Sequence, residues 1–174
     1  MAKQRRQPTA KRRQPIMLQR IQTLFLAIVA IAMGVFIALP LWEKVAADGI
    51  EQISMTALYL THTINATQSE IQPVFYLAGM AALVAGIAVF AIFKYRNRLL
   101  QSALCAVNSI LMTVMLATVV YQTFYKAAKL FDPGQTGNYL TGFYALVVAM
   151  LANVLANRFI RRDERMVKES NRMR

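Results

Sequence analysis

Four long apolar runs without charged residues constrain this chain more than any other feature of its sequence. They span residues 23–42, 74–93, 99–121 and 139–156, and none contains Asp, Glu, Lys or Arg. A helix rises about 1.5 Å per residue and the hydrocarbon core of a bilayer is about 30 Å thick, so about 20 apolar residues cross it. The runs predict an all-α membrane protein, with four transmembrane helices in an up-down-up-down bundle over residues 17–156.

Two other interpretations of these runs fit less well. Buried helices of a soluble protein would carry polar faces, which these runs lack. The first run could belong to a cleaved signal peptide, with Val45-Ala46-Ala47 as the cleavage site. However, it is longer than the roughly 7–15 apolar residues of such peptides, so we interpret it as a transmembrane helix.

The distribution of basic residues predicts the orientation. Most of the 20 Lys and Arg residues lie before the first run, between the second and third runs, and after the fourth run. The segments 43–73 and 122–138 together hold three Lys residues and five acidic residues. Short segments rich in Lys and Arg stay in the cytoplasm. We therefore expect both termini to be cytoplasmic and these two segments to lie outside.

The N-terminal segment 1–16 is basic, contains Pro8 and Pro15, and has no acidic residue. Because it has almost nothing to bury, it is expected to be disordered. Anionic lipid headgroups would attract it. Nucleic acid is not an expected partner, because no aromatic residues are interleaved with the basic ones.

The C-terminal segment 157–174 continues the fourth run as a predicted cytoplasmic basic helix. Phe159, Met166 and Met173 recur every seven residues, with Ile160 and Val167 beside them. A basic helix with a thin apolar stripe can lie on an anionic membrane leaflet or dock on another protein, and both partners stay open. The candidate docking residues are Arg158, Arg161, Arg162, Arg165, Lys168, Arg172, Arg174, Phe159, Met166 and Val167.

Small residues recur every four positions in the first two runs. They are Ala30, Gly34 and Ala38 in the first run and Ala78, Ala82 and Gly86 in the second. Lipid removes the hydrophobic drive between helices, which then associate through close packing and polar contacts. We therefore expect the two small-residue faces to meet as an antiparallel helix pair.

The third and fourth runs carry the polar side chains Asn108 and Asn153. An asparagine that faced lipid would leave its polar groups unpaired, so both are expected to face the helix interior. They could line a transport path or hold helices together. Since the runs contain no charged partner, we favour the second role.

The segments expected outside carry weaker signals. Residues 53–67 alternate partly between Thr and apolar residues, which predicts a short strand pair against the outer membrane face or a half-buried helix. Asn65-Ala66-Thr67 matches a glycosylation acceptor, which we attribute to chance. Asp132-Pro133-Gly134 predicts a turn.

Cysteine and histidine usage excludes several classes of membrane enzyme. With only Cys105 and His62, the chain cannot form the cysteine pair of a thiol oxidoreductase or hold haem between two histidines. No cluster of zinc ligands is apparent. Cys105 should be inert when buried, and His62 lies in a segment expected outside. We predict no catalytic, cofactor or metal site.

Several short motifs resemble a bacterial family of small four-helix inner-membrane proteins that is classed as a domain of unknown function. The motifs are MLQRIQT at 17–23, Leu39-Pro40, Asn97-Arg98, Gln101, Cys105, Asn108, LANR at 155–158, IRRDERMVK at 160–168 and RMR at 172–174. The resemblance covers about residue 17 to the end and implies location in a bacterial inner membrane. Family members tend to begin where Met17 stands, so translation could start at Met1 or Met17.

Three functional classes remain, and the sequence leaves the oligomeric state open. The first is a non-enzymatic accessory or scaffold subunit that docks a partner or the inner leaflet through its C-terminal helix. The second is a small transporter or channel, formed by an oligomer, although carriers usually place ionisable groups at mid-membrane. An enzyme would need a positioned base or nucleophile, which the sequence does not offer. We favour the first class.

Overall fold

A computed structural model describes residues 16–172, apart from residues 48, 65–67, 96 and 130–136, and gives only the backbone for 16–20, 68 and 166–172. The disorder predicted for 1–16 concerns residues that, except for Ile16, lie outside this description. The Asn65 acceptor and the predicted turn at 132–134 lie outside it as well.

The described chain is mostly helical. Helix α1 spans Ile16–Ala38, α2 spans Phe75–Phe93, α3 spans Arg98–Tyr121 and α4 spans Thr141–Arg172. All four are long and apolar enough to cross a membrane. Helix α1 ends before the Leu39-Pro40 dipeptide, because a residue before proline disfavours helical geometry. Trp42, at the end of the first apolar run, therefore belongs to a strand.

Helix α3 changes its winding at its C-terminal end. It continues as a π-helical turn, Gln122–Lys126, and then as a 3-10 turn, Ala127–Lys129. At its N-terminal end, the side-chain oxygen of Asn97 accepts a hydrogen bond from the backbone N–H of Leu100 at 3.1 Å. This cap satisfies one of the free N–H groups of the first turn.

Each helix packs mainly against two others: α1 against α2 and α4, and α3 against α2 and α4. Helices α1 and α4 are antiparallel, since Phe25 near the start of α1 stacks on Phe159 late in α4. At the other end, Pro40 just after α1 accepts a hydrogen bond from Gly142 at the start of α4. We call the end where α2 passes into α3 the basic end, and the opposite end the sheet end.

A five-stranded antiparallel sheet covers the sheet end. Its strands are β1 (Trp42–Val45), β2 (Glu51–Met55), β3 (Tyr59–Ile64), β4 (Gln68–Pro73) and β5 (Asn138–Tyr139). Their order is β4-β3-β2-β1-β5, with Trp42 opposite both Met55 and Tyr139. The expected strand pair is therefore part of a larger sheet, and residues 53–64, the described part of that segment, contain no helix.

One face of the sheet joins the helices in a single hydrophobic core. Trp42, Ile53, Met55 and Leu60 are buried on this face. They belong to the same cluster as core residues of all four helices, among them Met33, Phe36, Leu77, Val84, Met112, Met115 and Leu146. The helices and the sheet are thus one folding unit.

The outward surface of the helices is also apolar. The apolar windows of the four helices are only 33%, 28%, 28% and 33% buried, so most of their residues are at least partly exposed. Leu24, Ile31, Phe93, Ile110 and Leu151 are each more than half exposed. Monomeric soluble proteins rarely expose contiguous apolar surface on this scale.

Candidate docking surface and polar cluster at the basic end

Four arginines form an exposed face on α4 at the basic end. Arg158, Arg161, Arg162 and Arg165 are all exposed, and their spacings of three, four and seven residues place them on one side of the helix. We call this set the arginine face. The side chains of Lys168 and Arg172, and the whole of Arg174, lie outside the description.

The opposite side of this segment packs inside the protein. Phe159 stacks on Phe25, with ring centroids 5.6 Å apart and planes 11° from parallel. Ile160 is completely buried. Phe159, predicted as a docking residue, is thus engaged within the chain. The side chains of Met166 and Val167, and Met173, lie outside the description, so the rest of the predicted apolar stripe stays a prediction.

An ion pair ties the arginine-bearing segment to α3. Arg98 Nη2 lies 3.1 Å from Asp163 Oδ2, and Arg98 Nη1 donates a hydrogen bond to the backbone oxygen of Asp163 at 3.1 Å. The Asp163 side chain is 4% exposed and that of Arg98 is 21% exposed. The Nη2–Oδ2 contact is close, but it lacks the alignment of a hydrogen bond; its contribution is mainly that of charge on charge.

A short hydrogen-bond chain accompanies the ion pair, and we call the residues of both the polar cluster: Arg98, Ser102, Asn157, Arg161 and Asp163. Ser102 Oγ donates to Asn157 Oδ1 at 2.8 Å. Arg161 Nε reaches Ser102 Oγ at 3.4 Å, which is a long and weak contact. Together with the ion pair, these contacts fix which side of α4 faces α3, and therefore which side presents the arginine face.

The resemblance described above singled out several of these residues, but not their contacts. Arg98 and Asp163 lie in separate motifs and are 65 positions apart. In the sequence analysis, Arg98 contributed only to the predicted orientation. Asp163 is one of three acidic residues in the basic segment 157–174, with Glu164 and Glu169, and nothing in the sequence distinguishes it as the buried one.

The structure does not bring the two predicted small-residue faces together. Gly34, Ala38, Ala82 and Gly86 are exposed, and a Cβ added at Gly34 or Gly86 would meet nothing within 4 Å. Ala30 and Ala78 are partly buried and pack against the core. The interior is filled by other positions: mainly larger side chains such as Val29, Met33 and Phe36 on α1. On α2 the buried residues are Leu77, Ala81, Val84, Ala88 and Ala91, which include a different set of alanines from the predicted one.

The side chains of Asn108 and Asn153 are buried in the interior. Asn108 Nδ2 donates to the backbone oxygen of Val84 on α2 at 3.3 Å. Asn153 Nδ2 donates to the backbone oxygen of Cys105 and to Ser109 Oγ on α3, both at 2.8 Å. These bonds connect α3 to its two main neighbours.

Groups suited to catalysis are sparse in the described part of the chain. There, no three His, Cys, Asp or Glu residues are grouped so that they could hold a metal ion. Cys105 is buried in α3. His62 Nε2 on β3 lies 3.6 Å from Glu51 Oε2 on β2. Both residues are at the sheet end, whereas the polar cluster is at the basic end.

A groove of about 360 Å³ runs between α1 and α4 in the half nearer the sheet. Its lining residues are Ile28, Ile31, Ala32, Val35, Thr141, Tyr144, Ala145 and Val148. The lining is almost wholly apolar, so the groove offers hydrocarbon contact and no acid, base or nucleophile.

Comparison with known proteins places the chain in a family without assigning it an activity. No curated protein matches it. A family model covers residues 18–173, which includes all four helices almost entirely, the five strands and the polar cluster at the basic end. The chain belongs to the family described as a domain of unknown function, DUF4293.

Proposed function

We propose that this protein is a non-enzymatic accessory subunit of the bacterial inner membrane. It crosses the membrane four times as an up-down-up-down bundle and docks an anionic partner through the arginine face of α4. The observation that carries this proposal is the division of the α4 end into two sides. One side is fixed internally by Ile160 and Asp163, and the other presents four exposed arginines.

The outward apolar surface supports the membrane placement. Leaving so many Leu, Ile, Val and Phe side chains exposed to water would forfeit about 25 cal/mol for each Å² of apolar area. In lipid that area costs nothing, and the backbone polar groups of each helix are satisfied internally. Placement in a membrane therefore explains why the outward-facing side of each helix is apolar, like the side that packs in the core.

The charge asymmetry between the two ends supports the orientation. Lys94, Arg98 and the arginine face lie at the basic end. The sheet end carries Lys44, Lys126 and Lys129, but also Glu43, Glu51 and Glu70. Since short basic segments stay in the cytoplasm, the basic end is cytoplasmic in this proposal, and the sheet lies outside.

Cysteine labelling tests the orientation. In a Cys105→Ala background, the substitution Gln52→Cys places an exposed thiol on β2, and Arg162→Cys places one on the arginine face. We expect an impermeant maleimide to label Gln52→Cys in intact spheroplasts, and to label Arg162→Cys only after the membrane is opened. The reverse pattern would overturn the orientation, and labelling of both before opening would overturn the membrane placement.

The length of α4 favours a cytoplasmic partner for the end of the arginine face. Asp163 pairs with Arg98, the first residue of α3, so α4 continues beyond the N-terminus of α3 to Arg172. Arg158 lies nearest the membrane in this placement and would meet lipid headgroups. Arg165 lies beyond the N-terminus of α3 and would meet an acidic protein surface.

Charge reversal on the arginine face tests docking. Replacing all three of Arg158, Arg162 and Arg165 by Glu is expected to weaken retention of the partner by about a hundredfold or more, since each basic contact with an anionic surface contributes about 1 kcal/mol. The matched control is Lys126→Glu with Lys129→Glu, at exposed positions of the sheet end. Retention is measured by photocrosslinking from position 161 in native membranes and by native mass spectrometry of bound lipid.

The results separate the two partners. Loss of a crosslinked protein only in the arginine variant supports a protein partner, and loss of bound phosphatidylglycerol or cardiolipin without a protein product supports the leaflet. Equal retention by the arginine variant, the control and the unaltered protein would overturn the docking proposal.

A further inference from the structure

Four amide side chains are buried among the helices. They are Gln22 on α1, Gln101 and Asn108 on α3, and Asn153 on α4, with exposed fractions of 4%, 2%, 1% and 0%. Each amide carries an NH₂ group with two hydrogens and an oxygen with two lone pairs. Buried polar groups of this kind are almost always hydrogen-bonded.

The NH₂ groups of the two α3 amides have backbone partners on α2. Gln101 Nε2 donates to the oxygen of Ala91 at 3.2 Å, and Asn108 Nδ2 donates to the oxygen of Val84 at 3.3 Å. Exchanging nitrogen and oxygen in either amide would place two oxygens against each other. The backbone carbonyls therefore fix which atom is the nitrogen.

Asn153 is oriented in the same way from α4. Its Nδ2 donates to the oxygen of Cys105 at 2.8 Å and to Ser109 Oγ at 2.8 Å. Both hydrogens of the NH₂ group are thereby used. What remains on Asn153, as on Gln101 and Asn108, is an oxygen that needs a donor.

Within the described part of the protein, no group donates a hydrogen bond to Gln101 Oε1, Asn108 Oδ1 or Asn153 Oδ1. Gln22 Nε2 is a buried donor that is likewise left without a described acceptor. Each buried polar atom that stays unpaired costs about 1–3 kcal/mol. A small molecule that donates hydrogen bonds would remove this cost at the three oxygens.

All four amides lie in the half of the interior nearer the basic end. Positions 101 and 108 are two turns apart on one side of α3, about 10 Å along its axis, and Asn153 lies beside Cys105 and Ser109. The same side of α3 continues with Met112, Met115 and Val119, all fully buried. Along this side of α3 the buried positions therefore change from two amides and Cys105 to the apolar residues Met112, Met115 and Val119 one turn beyond Asn108.

We propose that the interior near the basic end is a water-binding site that reaches Asn108 and Asn153 and stops at Met112. Water supplies the missing donors and can also accept from Gln22 Nε2. Such a molecule needs only about 10–15 Å³ of probe volume and two to four polar partners. This inference rests on the proposed orientation only for the side from which water enters the protein, which is then the cytoplasmic side.

The single cysteine of the chain stands between the two amides of α3. Cys105 is 1% exposed, lies one turn from both Gln101 and Asn108, and belongs to an apolar cluster with Leu26 and Ile160. Water that reaches the amides is expected to exchange the neighbouring thiol hydrogen for deuterium in D₂O. Infrared spectroscopy of the protein in lipid nanodiscs follows the loss of the S–H band. The matched control is Cys105→Ala with Met115→Cys, which moves the only thiol to a fully buried position in the apolar half.

We expect the Cys105 S–H band to disappear while the Met115→Cys thiol still keeps its band. Asn108→Leu and Asn153→Leu should each slow the exchange of Cys105. Equal exchange rates at positions 105 and 115, or slower exchange at 105, would overturn the proposal. Because the readout involves no partner, its failure is distinct from a failure of docking.

If the Met115→Cys variant does not fold, hydroxyl-radical labelling of the unaltered protein answers the same question. Water is the source of the radicals, and Cys105 and Met115 are buried to nearly the same extent. Because a thiol is intrinsically more reactive than a thioether, each rate is divided by that of the same residue in the unfolded protein, and preferential oxidation of Cys105 on this scale supports the water-binding site. Oxidation of Met115 that is as fast as that of Cys105 would contradict it.

Discussion

Replacing Arg98 by alanine is expected to destabilise the protein by about 3–5 kcal/mol, because it leaves the buried Asp163 carboxylate without its counter-charge. The Asp163 side chain is only 4% exposed, and Arg98 also donates to the Asp163 backbone oxygen. The variant thus loses both the charge contact and a hydrogen bond between α3 and α4. Thermal unfolding in nanodiscs, followed by circular dichroism, measures the change.

Two further variants identify the ion pair as the cause. Arg161→Ala removes an exposed arginine whose contact with Ser102 is long, and it should stay within about 0.5 kcal/mol of the unaltered protein. The double variant Arg98→Met with Asp163→Leu removes both charges and should recover most of the loss, as apolar replacements of buried pairs commonly do. A double variant no more stable than Arg98→Ala would show that the ion pair does not account for the loss.

The helical part of the fold was largely predictable from sequence, because its signal is local. Each of the four uncharged runs lies within or overlaps a helix of the structure. The interior positions of Asn108 and Asn153 followed from a property of single residues, the cost of an unpaired amide in an apolar medium. Such arguments need no knowledge of which helix lies opposite.

The sheet was only partly predictable, because its pairing depends on distant residues. Strand β5 has two residues, Asn138 and Tyr139, and forms only by pairing with Glu43 and Trp42 of β1. Nothing in a two-residue segment marks it as a strand without that partner. The alternation in residues 53–67 indicated strands but could not give their number.

The ion pair at the basic end was missed for the same reason. Arg98 and Asp163 belong to different helices, and each reads as an ordinary charge within a basic segment. Their contact depends on the rotation of α4 about its axis, which hydropathy does not determine over a stretch with few apolar residues.

The failed pairing of small residues shows a different limit. The four-residue spacing placed Gly34 and Gly86 on faces of their helices, but spacing does not say whether a face meets a neighbour or lipid. In the structure, α1 turns larger side chains such as Met33 and Phe36 inward. The inward side of α2 does carry alanines, Ala81, Ala88 and Ala91, but they are not the predicted ones. Two glycines that close approaches do require, Gly137 beside Trp42 and Gly142 beside Pro40, were not singled out, because their neighbours lie about 100 positions earlier in the chain.

Replacing Gly142 by alanine is therefore expected to destabilise the protein, whereas the same change at Gly34 or Gly86 is not. A Cβ at position 142 would lie 2.6 Å from the oxygen of Leu39, 2.8 Å from that of Pro40 and 2.7 Å from Leu41 Cδ2. Two of these atoms are backbone, and Gly142 N also donates to the Pro40 oxygen at 3.0 Å. The connection between α1 and β1 would have to move, at a cost of about 1–3 kcal/mol.

Valine at position 142 adds two methyl groups to the same crowded site, and we expect it to prevent α4 from docking beside the end of α1. At Gly34 and Gly86 a Cβ meets nothing within 4 Å. Alanine there should leave stability unchanged or raise it by up to about 1 kcal/mol, because glycine weakens a helix interior. Unfolding of the three alanine variants under one set of conditions measures the contrast. If alanine at Gly34 or Gly86 lowers stability as much as alanine at Gly142, the small-residue faces are packing surfaces after all, in contact with lipid or with another subunit.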